Sequence, residues 1–454
     1  MNSLVEGIVA LPSMLANTPV EFYIFGVTLL GVALFHNRTL TVAVTGLLAT
    51  ITYKLFVSGF AQGTGLAGLL AHGQHEWVIL SNLLLLLLGF AILANQFERS
   101  NIPEAMPAVL PDDWKGGLVL LVLIFVMSAF LDNIAATIIG GVVARHVYHN
   151  KVSIGFLASI VAAANAGGAG SVIGDTTTTM MWISGVSPLA VLHAFIAAIV
   201  AFAVFGILGA RQQQRYAPIQ AHIAADAPPI KPSRAIIVGI ILATLLAVNF
   251  AGNAWYPEQQ EVAPWLGLGL WLAILLTALI RAPQWNVLPG AARGALFLVC
   301  LVATASMMPV DHLPDASWQT AFGLGALSAV FDNIPLTALA LKQGGYDWGV
   351  LAFAVGFGGS MMWFGSSAGV ALSNLYPQMR SVRAWLVHGW YLPIAYVAGF
   401  AALVSLWGWF PTHTRATAPA GSQSHAEAPA PVAAVVDGSV HLWRLVFDRD
   451  AAGT

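Results

Sequence analysis

The stretch SAFLDNIAAT at residues 128–137 recurs without a gap as SAVFDNIPLT at residues 328–337. Ser, Ala, Asp, Asn, Ile and Thr occupy the same positions in both copies, so the pairs Asp132–Asn133 and Asp332–Asn333 correspond. The first copy ends a run, residues 116–131, that is almost wholly apolar. What these duplicated carboxylates can do depends on the solvent that surrounds them.

The composition is that of a protein embedded in lipid. Of 454 residues, 58% are hydrophobic and 8% are charged, against roughly a quarter charged in ordinary soluble domains. The net charge of −2 is too small, and the charges too scattered, to indicate nucleic acid as a partner. We therefore predict an integral, multi-pass membrane protein in a bacterial inner (plasma) membrane, with lipid around it.

The chain divides into two apolar halves. Only helices satisfy their own backbone groups in lipid, and about 20 apolar residues span a bilayer. The sequence therefore predicts an all-α polytopic fold with a first transmembrane half at 1–210, a polar connecting loop at 211–234 and a second half at 235–410. The loop contains four basic residues, so the positive-inside rule predicts that it lies on the cytoplasmic side. Residues 411–454, rich in Ala, Pro, Ser and Thr, are predicted to be disordered.

A second pair of similar stretches follows the first. GGAGSVIGDTTTT at 167–179 and GGSMMWFGSSAGV at 358–370 both contain Gly-Gly, five residues and then Gly. Glycines in this pattern allow close packing between helices, or turns that interrupt a helix. Because they are duplicated beside polar clusters, we interpret Gly167, Gly168, Gly174, Gly358, Gly359 and Gly365 as hinge glycines of broken helices. Two such halves, predicted to be inverted repeats, are typical of a secondary transporter.

The acids in these segments are the candidate functional residues. A charge at the centre of a membrane helix costs about 2.5–3.5 kcal/mol on insertion scales, so an intramembrane carboxylate indicates function. Asp132, Asp175 and Asp332 are predicted to bind Na+ or Li+ as metal ligands. The full set of candidate ion-binding residues is Asp132, Asn133, Thr137, Asp175, Thr176, Thr177, Thr178, Asp332, Asn333, Thr337, Ser366 and Ser367. Ser366 aligns with Asp175, so the cation is expected nearer to Asp132 and Asp175.

Other polar residues carry weaker signals. Lys54 lies near the end of an apolar run and is expected to reach the membrane interface. His72 and His75 fall between the predicted helices 39–58 and 77–96 and are expected to face solvent. No nucleophile–base or metal-ligand spacing accompanies the acids. We therefore predict no enzyme activity, no catalytic residue and no cofactor.

The motifs FLDNIAATI, ANAGGAGSVIGDTTTTMMWISG and SAVFDNIPLTALAL resemble those of the NhaD-type sodium/proton antiporters, whose superfamily also holds arsenite and dicarboxylate carriers. The resemblance covers most of residues 115–410. It carries the Asp–Asn pairs onto Asp132, Asn133, Asp332 and Asn333, and the Gly-Asp-Thr run onto Gly174, Asp175, Thr177, Thr178 and Thr179. It further implies two inverted repeats with re-entrant hairpins, a homodimer and an elevator-type movement. Thr176 stands where the family usually has valine.

Two transport functions are compatible with these residues. Exchange of Na+ or Li+ for protons is favoured, because carboxylates with Asn and Thr oxygens suit hard cations and protons compete for the same carboxylates. The alternative is a carrier of an anion or oxyacid, arsenite or a dicarboxylate, for which helix N-termini and hydroxyls such as those of GSSAGV would serve. Three nearby acids would repel a charged anion.

Overall fold

The computed structural model describes residues 18–35, 38–102, 110–219, 229–256, 259 and 262–412. Apart from one isolated bridge between Phe60 and Gly63, regular structure in these residues is helical. Beyond residue 412, the segment predicted to be disordered lies outside the described residues, as do 220–228 of the connecting loop.

The helices of the first half are separated by short connections. They are α1 (Val20–Leu34), α2 (Thr39–Tyr53), α3 (Gly65–Glu98), α4 (Trp114–Ser128), α5 (Asn133–Val147), α6 (Ile154–Ala169), α7 (Thr176–Ile183), α8 (Leu189–Leu192) and α9 (Ala194–Tyr216). The second half contains α10 (Pro232–Trp255), α11 (Trp265–Ala278), α12 (Leu288–Ser306), α13 (Trp318–Ser328), α14 (Asn333–Gln343), α15 (Trp348–Gly358), α16 (Ser367–Leu375), α17 (Val382–His388) and α18 (Tyr391–Leu406).

Several of these helices are long and apolar enough to cross a membrane. In the described residues these are Thr39–Ser58, Gly65–Glu98, Leu189–Tyr216 and Trp285–Ser306, and α17 with α18, bent by 60°, would make a fifth span. The prediction of an all-α, multi-pass integral membrane protein is confirmed.

Two predictions about single residues were wrong. Helix α3 begins at Gly65, so His72 and His75 lie on a helix and not in a loop, and His72 is buried against Gln62 and Ser306. Lys54 begins a π-helical turn, Lys54–Ser58, and its Nζ lies 3.2 Å from a carboxylate oxygen of buried Glu21. The lysine therefore pairs with an acid inside the protein instead of reaching the interface.

The duplicated segments pack across the two halves. Helix α5, which begins after Asp132, packs against α16, and α14, which begins after Asp332, packs against α7. Helices α6 and α15 pack against each other and both contact α9. Each half therefore contributes a helix to the surroundings of the other half's interrupted segment.

Helix α9 shows how α6 and α15 are oriented. At its start, His193 Nε2 lies 2.7 Å from Asp347, the residue that caps the N-terminus of α15. At its other end, Gln213 accepts the backbone N–H of Ser153, the residue that caps the N-terminus of α6. The corresponding helices α6 and α15 thus begin at opposite ends of α9.

Candidate functional site

Each duplicated aspartate is held in the same way at the start of a helix. The carboxylate of Asp132 accepts the N–H of Ile134 at 3.1 Å and the hydroxyl of Thr176 at 3.3 Å. The carboxylate of Asp332 accepts the N–H of Ile334 at 3.1 Å and the hydroxyl of Ser367 at 2.8 Å. Such caps satisfy N–H groups that a helix end leaves free. Both aspartates thereby join a new helix to the first residue of α7 or α16.

The glycines of the second duplication allow the same close approach in both halves. A Cβ atom on Gly167 would meet the carbonyl oxygen of Phe125, and one on Gly358 would meet that of Gly325. The pairs Gly168 and Gly359, and Gly174 and Gly365, likewise face backbone carbonyls at matching positions. Backbone cannot move aside as a flexible side chain can, so these positions require glycine. The aligned segments are therefore equivalent in structure.

Asn165 joins the two halves at the centre. Its Oδ1 accepts the Asn133 amide at 3.0 Å, and its Nδ2 donates to the hydroxyls of Ser360 and Ser366 at 2.9 and 3.1 Å. The Asn133 amide also donates to Asp175 Oδ1 at 3.1 Å. Asn165, Asp175 and Ser366 are at most 1% exposed. One buried amide network therefore connects α5, α6 and the caps of α7 and α16.

Several buried polar atoms of the predicted site residues lack a partner. Asp175 Oδ2, Thr137 Oγ1, Thr177 Oγ1 and Asn333 Nδ2 are buried without a hydrogen bond from the described residues. Asp175 Oδ2 would lie 3.2 Å from a Cβ atom on Gly356, so the missing side chain there leaves room beside the carboxylate. A buried carboxylate oxygen without a donor is costly unless a proton or a cation stabilises it.

A cavity of about 560 Å³ reaches the two duplicated aspartates. Asp132, Asp332 and Ser367 line it, together with mostly apolar residues of α1, α3, α5, α12 and α16. Asp175 does not line this cavity. Two of the three predicted acids therefore face open space, and the third lies in the buried network behind them.

Known proteins with similar sequences are transporters. No family model matches the chain. It is 26% identical over 432 residues to sodium/proton antiporter 1 of Arabidopsis thaliana, covering 84% of this chain and 71% of that protein. It is also 26% identical over 360 residues to the Na+/H+ antiporter NhaD of Vibrio parahaemolyticus, covering 66% of this chain and 84% of that protein. The chain is similar in sequence to sodium/proton antiporters, one of the NhaD type among them.

A third similar protein is named only as a transporter. An uncharacterized transporter of Mycobacterium tuberculosis is 25% identical over 391 residues, covering 75% of this chain and 86% of that protein. The family resemblance that the motifs indicated is confirmed by these matches, which extend over much of the chain.

The predicted site residues differ in their side-chain contacts, and Thr137, Thr177 and Asn333 have the unpartnered atoms described above. Asp132, Asn133, Asp175, Thr176, Asp332, Ser366 and Ser367 are linked by the side-chain contacts described above. The hydroxyls of Thr178 and Thr337 instead donate to backbone carbonyls, those of Ser171 and Asn333 among them. Among the described residues, no three acidic, histidine or cysteine side chains converge as a metal-binding cluster.

Two residues of the network were not predicted, Asn165 and Ser360. Asn165 is the single amide in the apolar helix α6, two residues before Gly167. That isolated amide was a signal in the sequence. The duplication does not reveal it, because the alignment that pairs Gly167 with Gly358 pairs Asn165 with Gly356.

Proposed function

We propose that the protein exchanges Na+ or Li+ for protons across the membrane. The observation that carries the proposal is Asp175 Oδ2, which is buried without a hydrogen-bond partner among the described residues, while Oδ1 of the same carboxylate accepts the Asn133 amide. A cation or a proton would each stabilise this oxygen, and the two cannot occupy it together. Competition for one carboxylate is a direct way to couple the movements of two ions.

Neutral oxygens would complete the cation site. The hydroxyls of Thr137 and Thr177 are buried and unpartnered in the described structure. Hard cations prefer oxygen ligands, which these hydroxyls and the carboxylate provide. Asp132 and Asp332 would receive the ions from the cavity that they line. The unequal halves, with Asp175 in one and Ser366 in the other, favour a cation on the Asp175 side.

Alternating access would use the two halves in turn. The opposite starting points of α6 and α15 along α9 support an inverted repeat, which lets one site open to either side when the halves exchange roles. The cavity lies between α3 and α12 on one side and α5 and α16 on the other. In an elevator-type movement, α5 and α16 would belong to the transport unit, which slides along a scaffold that contains α3 and α12. A homodimer, through that scaffold, belongs to the same proposal.

The alternative is a carrier of arsenite or a dicarboxylate. Its support is the N-terminus of α16, where Ser366 and Ser367 offer hydroxyls. Asp332, however, accepts the Ser367 hydroxyl, and Asn165 donates to that of Ser366. A carboxylate in contact with the ligand site disfavours a bound anion.

A vesicle assay distinguishes the two functions. For protein reconstituted with a pH gradient across the membrane, we expect Na+ or Li+ to dissipate the gradient, and arsenite or succinate to leave it intact. Asp132→Asn and Asp332→Asn should each abolish the response, because each keeps the size of the side chain and removes its charge. Apparent Na+ affinity should weaken as the pH falls, since protons occupy the same carboxylates.

The control variant is Asp113→Asn, which alters an exposed acid at the start of α4. It should behave as the unmodified protein does. Asp175→Asn should abolish the response as well, and full exchange in that variant, or in both Asp132→Asn and Asp332→Asn, would overturn the shared-carboxylate mechanism. A response to arsenite or succinate and none to Na+ or Li+ would establish the alternative function.

A further inference from the structure

A second cavity lies at the end of α3. Its volume is about 440 Å³, and its lining residues are Asn95, Glu98, Arg99, Asn101, Lys231 and Gln284. Asn95 and Glu98 also line the larger cavity that contains Asp132 and Asp332. The last turn of α3 therefore borders both the outer cavity and the one that reaches the aspartates.

The charged residues are distributed unequally between the two cavities. Glu98 lines both cavities, whereas Arg99 and Lys231 line only the outer one. Lys231 Nζ donates to Asn101 Oδ1 at 3.2 Å. Glu98 forms no ion pair with another residue in the described parts of the chain. Its carboxylate is thus available to a mobile cation beside both cavities.

Asn95 adds a neutral oxygen one turn from Glu98. Residues three apart on a helix lie on the same face, so the amide and the carboxylate are neighbours. The Asn95 side-chain oxygen is buried and has no hydrogen-bond partner among the described residues. An unpartnered amide oxygen beside a free carboxylate is a pair of groups suited to a hard cation.

We infer that Asn95 and Glu98 form an access site that attracts the transported cation and passes it to Asp132 and Asp332. This inference rests on the proposed cation exchange. The outer cavity is also lined by Lys231, at the end of the basic connecting loop, so the access site opens on the cytoplasmic side. A carboxylate in a cleft raises the local concentration of cations and their association rate.

Kinetics of Glu98→Gln test the inference. We expect the apparent KM for Na+ on the cytoplasmic side to rise about tenfold, because steering by charge changes association by about tenfold or more. The maximal rate should stay unchanged, since the aspartates are intact. Glu98→Asp should restore the affinity, and Arg99→Gln should strengthen it by removing a repelling charge. The matched control is Glu76→Gln, an acid on α3 that lines neither cavity.

A second measurement does not depend on transport. Cys300 is the single cysteine of the sequence. After its replacement in Cys300→Ala, an added Asn95→Cys should react with a membrane-impermeant thiol reagent applied from the cytoplasmic side. Labelling only from the opposite side, or an unchanged KM in Glu98→Gln, would overturn the inference. If the unmodified protein shows no cation exchange at all, the proposed function fails instead, and the labelling still reports where the cavity opens.

Discussion

Lys54 and Glu21 show how single charges are accommodated in the apolar interior. The side chains are 9% and 5% exposed, and the Lys54 Nζ lies 3.2 Å from Glu21 Oε1. Taking two charges out of water is expensive, and their attraction offsets the cost only while both are present. Removing one partner leaves the other charge buried and unpaired. The pair joins α1 to the turn that follows α2, so its loss should loosen this part of the molecule.

We expect Lys54→Met to lower the free energy of unfolding by about 3–5 kcal/mol, the usual cost of breaking a buried pair. Glu21→Gln combined with Lys54→Met should recover most of that loss, because no unpaired charge remains. Thermal unfolding in one detergent measures both. Lys115→Met is the control, since Lys115 is 63% exposed and pairs with Asp113 at 3.9 Å; exposed pairs contribute about 0–1 kcal/mol. Equal effects of Lys54→Met and Lys115→Met would contradict this account.

Helix α6 is the element that holds the candidate site together. This role depends on one amide, that of Asn165, which contacts Asn133, Ser360 and Ser366. A buried polar group that loses its partner costs about 1–3 kcal/mol. An apolar residue at this position would leave groups from both halves unsatisfied, and α5 would no longer be tied to the cap of α16.

We expect Asn165→Leu to reduce Na+-dependent proton movement at least about tenfold, the equivalent of about 1.4 kcal/mol, in a protein that still folds. Ser159→Ala on the same helix is the control. It removes a buried hydroxyl that contacts Tyr391 and should leave transport nearly unchanged. Transport and melting temperature are measured for both variants. Normal exchange by Asn165→Leu would remove Asn165 from the site, whereas an equal loss in both would indicate a general packing defect.

The whole molecule is organised by helix α9, which contacts the starts of α6 and α15 at its two ends. Its 23 residues span about 34 Å at 1.5 Å per residue, close to the roughly 30 Å thickness of the hydrocarbon core. The pairs His193–Asp347 and Gln213–Ser153 hold the N-terminus of α15 at one end of α9 and that of α6 near the other end. Two corresponding helices should therefore enter the membrane from opposite sides.

Thiol labelling tests this arrangement. Lys151 lies just before α6, and Thr412, whose carbonyl accepts the indole N–H of Trp348, lies beside the start of α15; both are exposed. In a Cys300→Ala background, Lys151→Cys and Thr412→Cys should react with an impermeant reagent from opposite sides of the membrane. The unsubstituted Cys300→Ala protein is the blank. Reaction of both positions from the same side would exclude inverted halves.

The sequence by itself determined the class of this protein and the places where its helices are interrupted. Lipid tolerates only internally satisfied backbone, so composition alone predicts membrane helices. Positions such as Gly167 and Gly358 face backbone carbonyls, which leaves no room for a side chain. Glycine is therefore required in both halves, and the duplication can be recognised from the sequence. Caps such as Asp132 and Asp332 are local too, because each bonds an N–H two residues away.

Only the tertiary structure decided which side chains meet. Asn165 and Ser366 are 201 residues apart in the chain, and no local pattern predicts their contact. The burial of Lys54 and His72 likewise depends on Glu21, on Ser306 and on how the helices that carry them pack. Duplication could not reveal Asn165, because the alignment offers glycine there. It could not reveal Glu98 either, because the role that we infer for it depends on two cavities that form only between packed helices. Contacts between distant residues follow from packing, which repeats and periodicity do not specify.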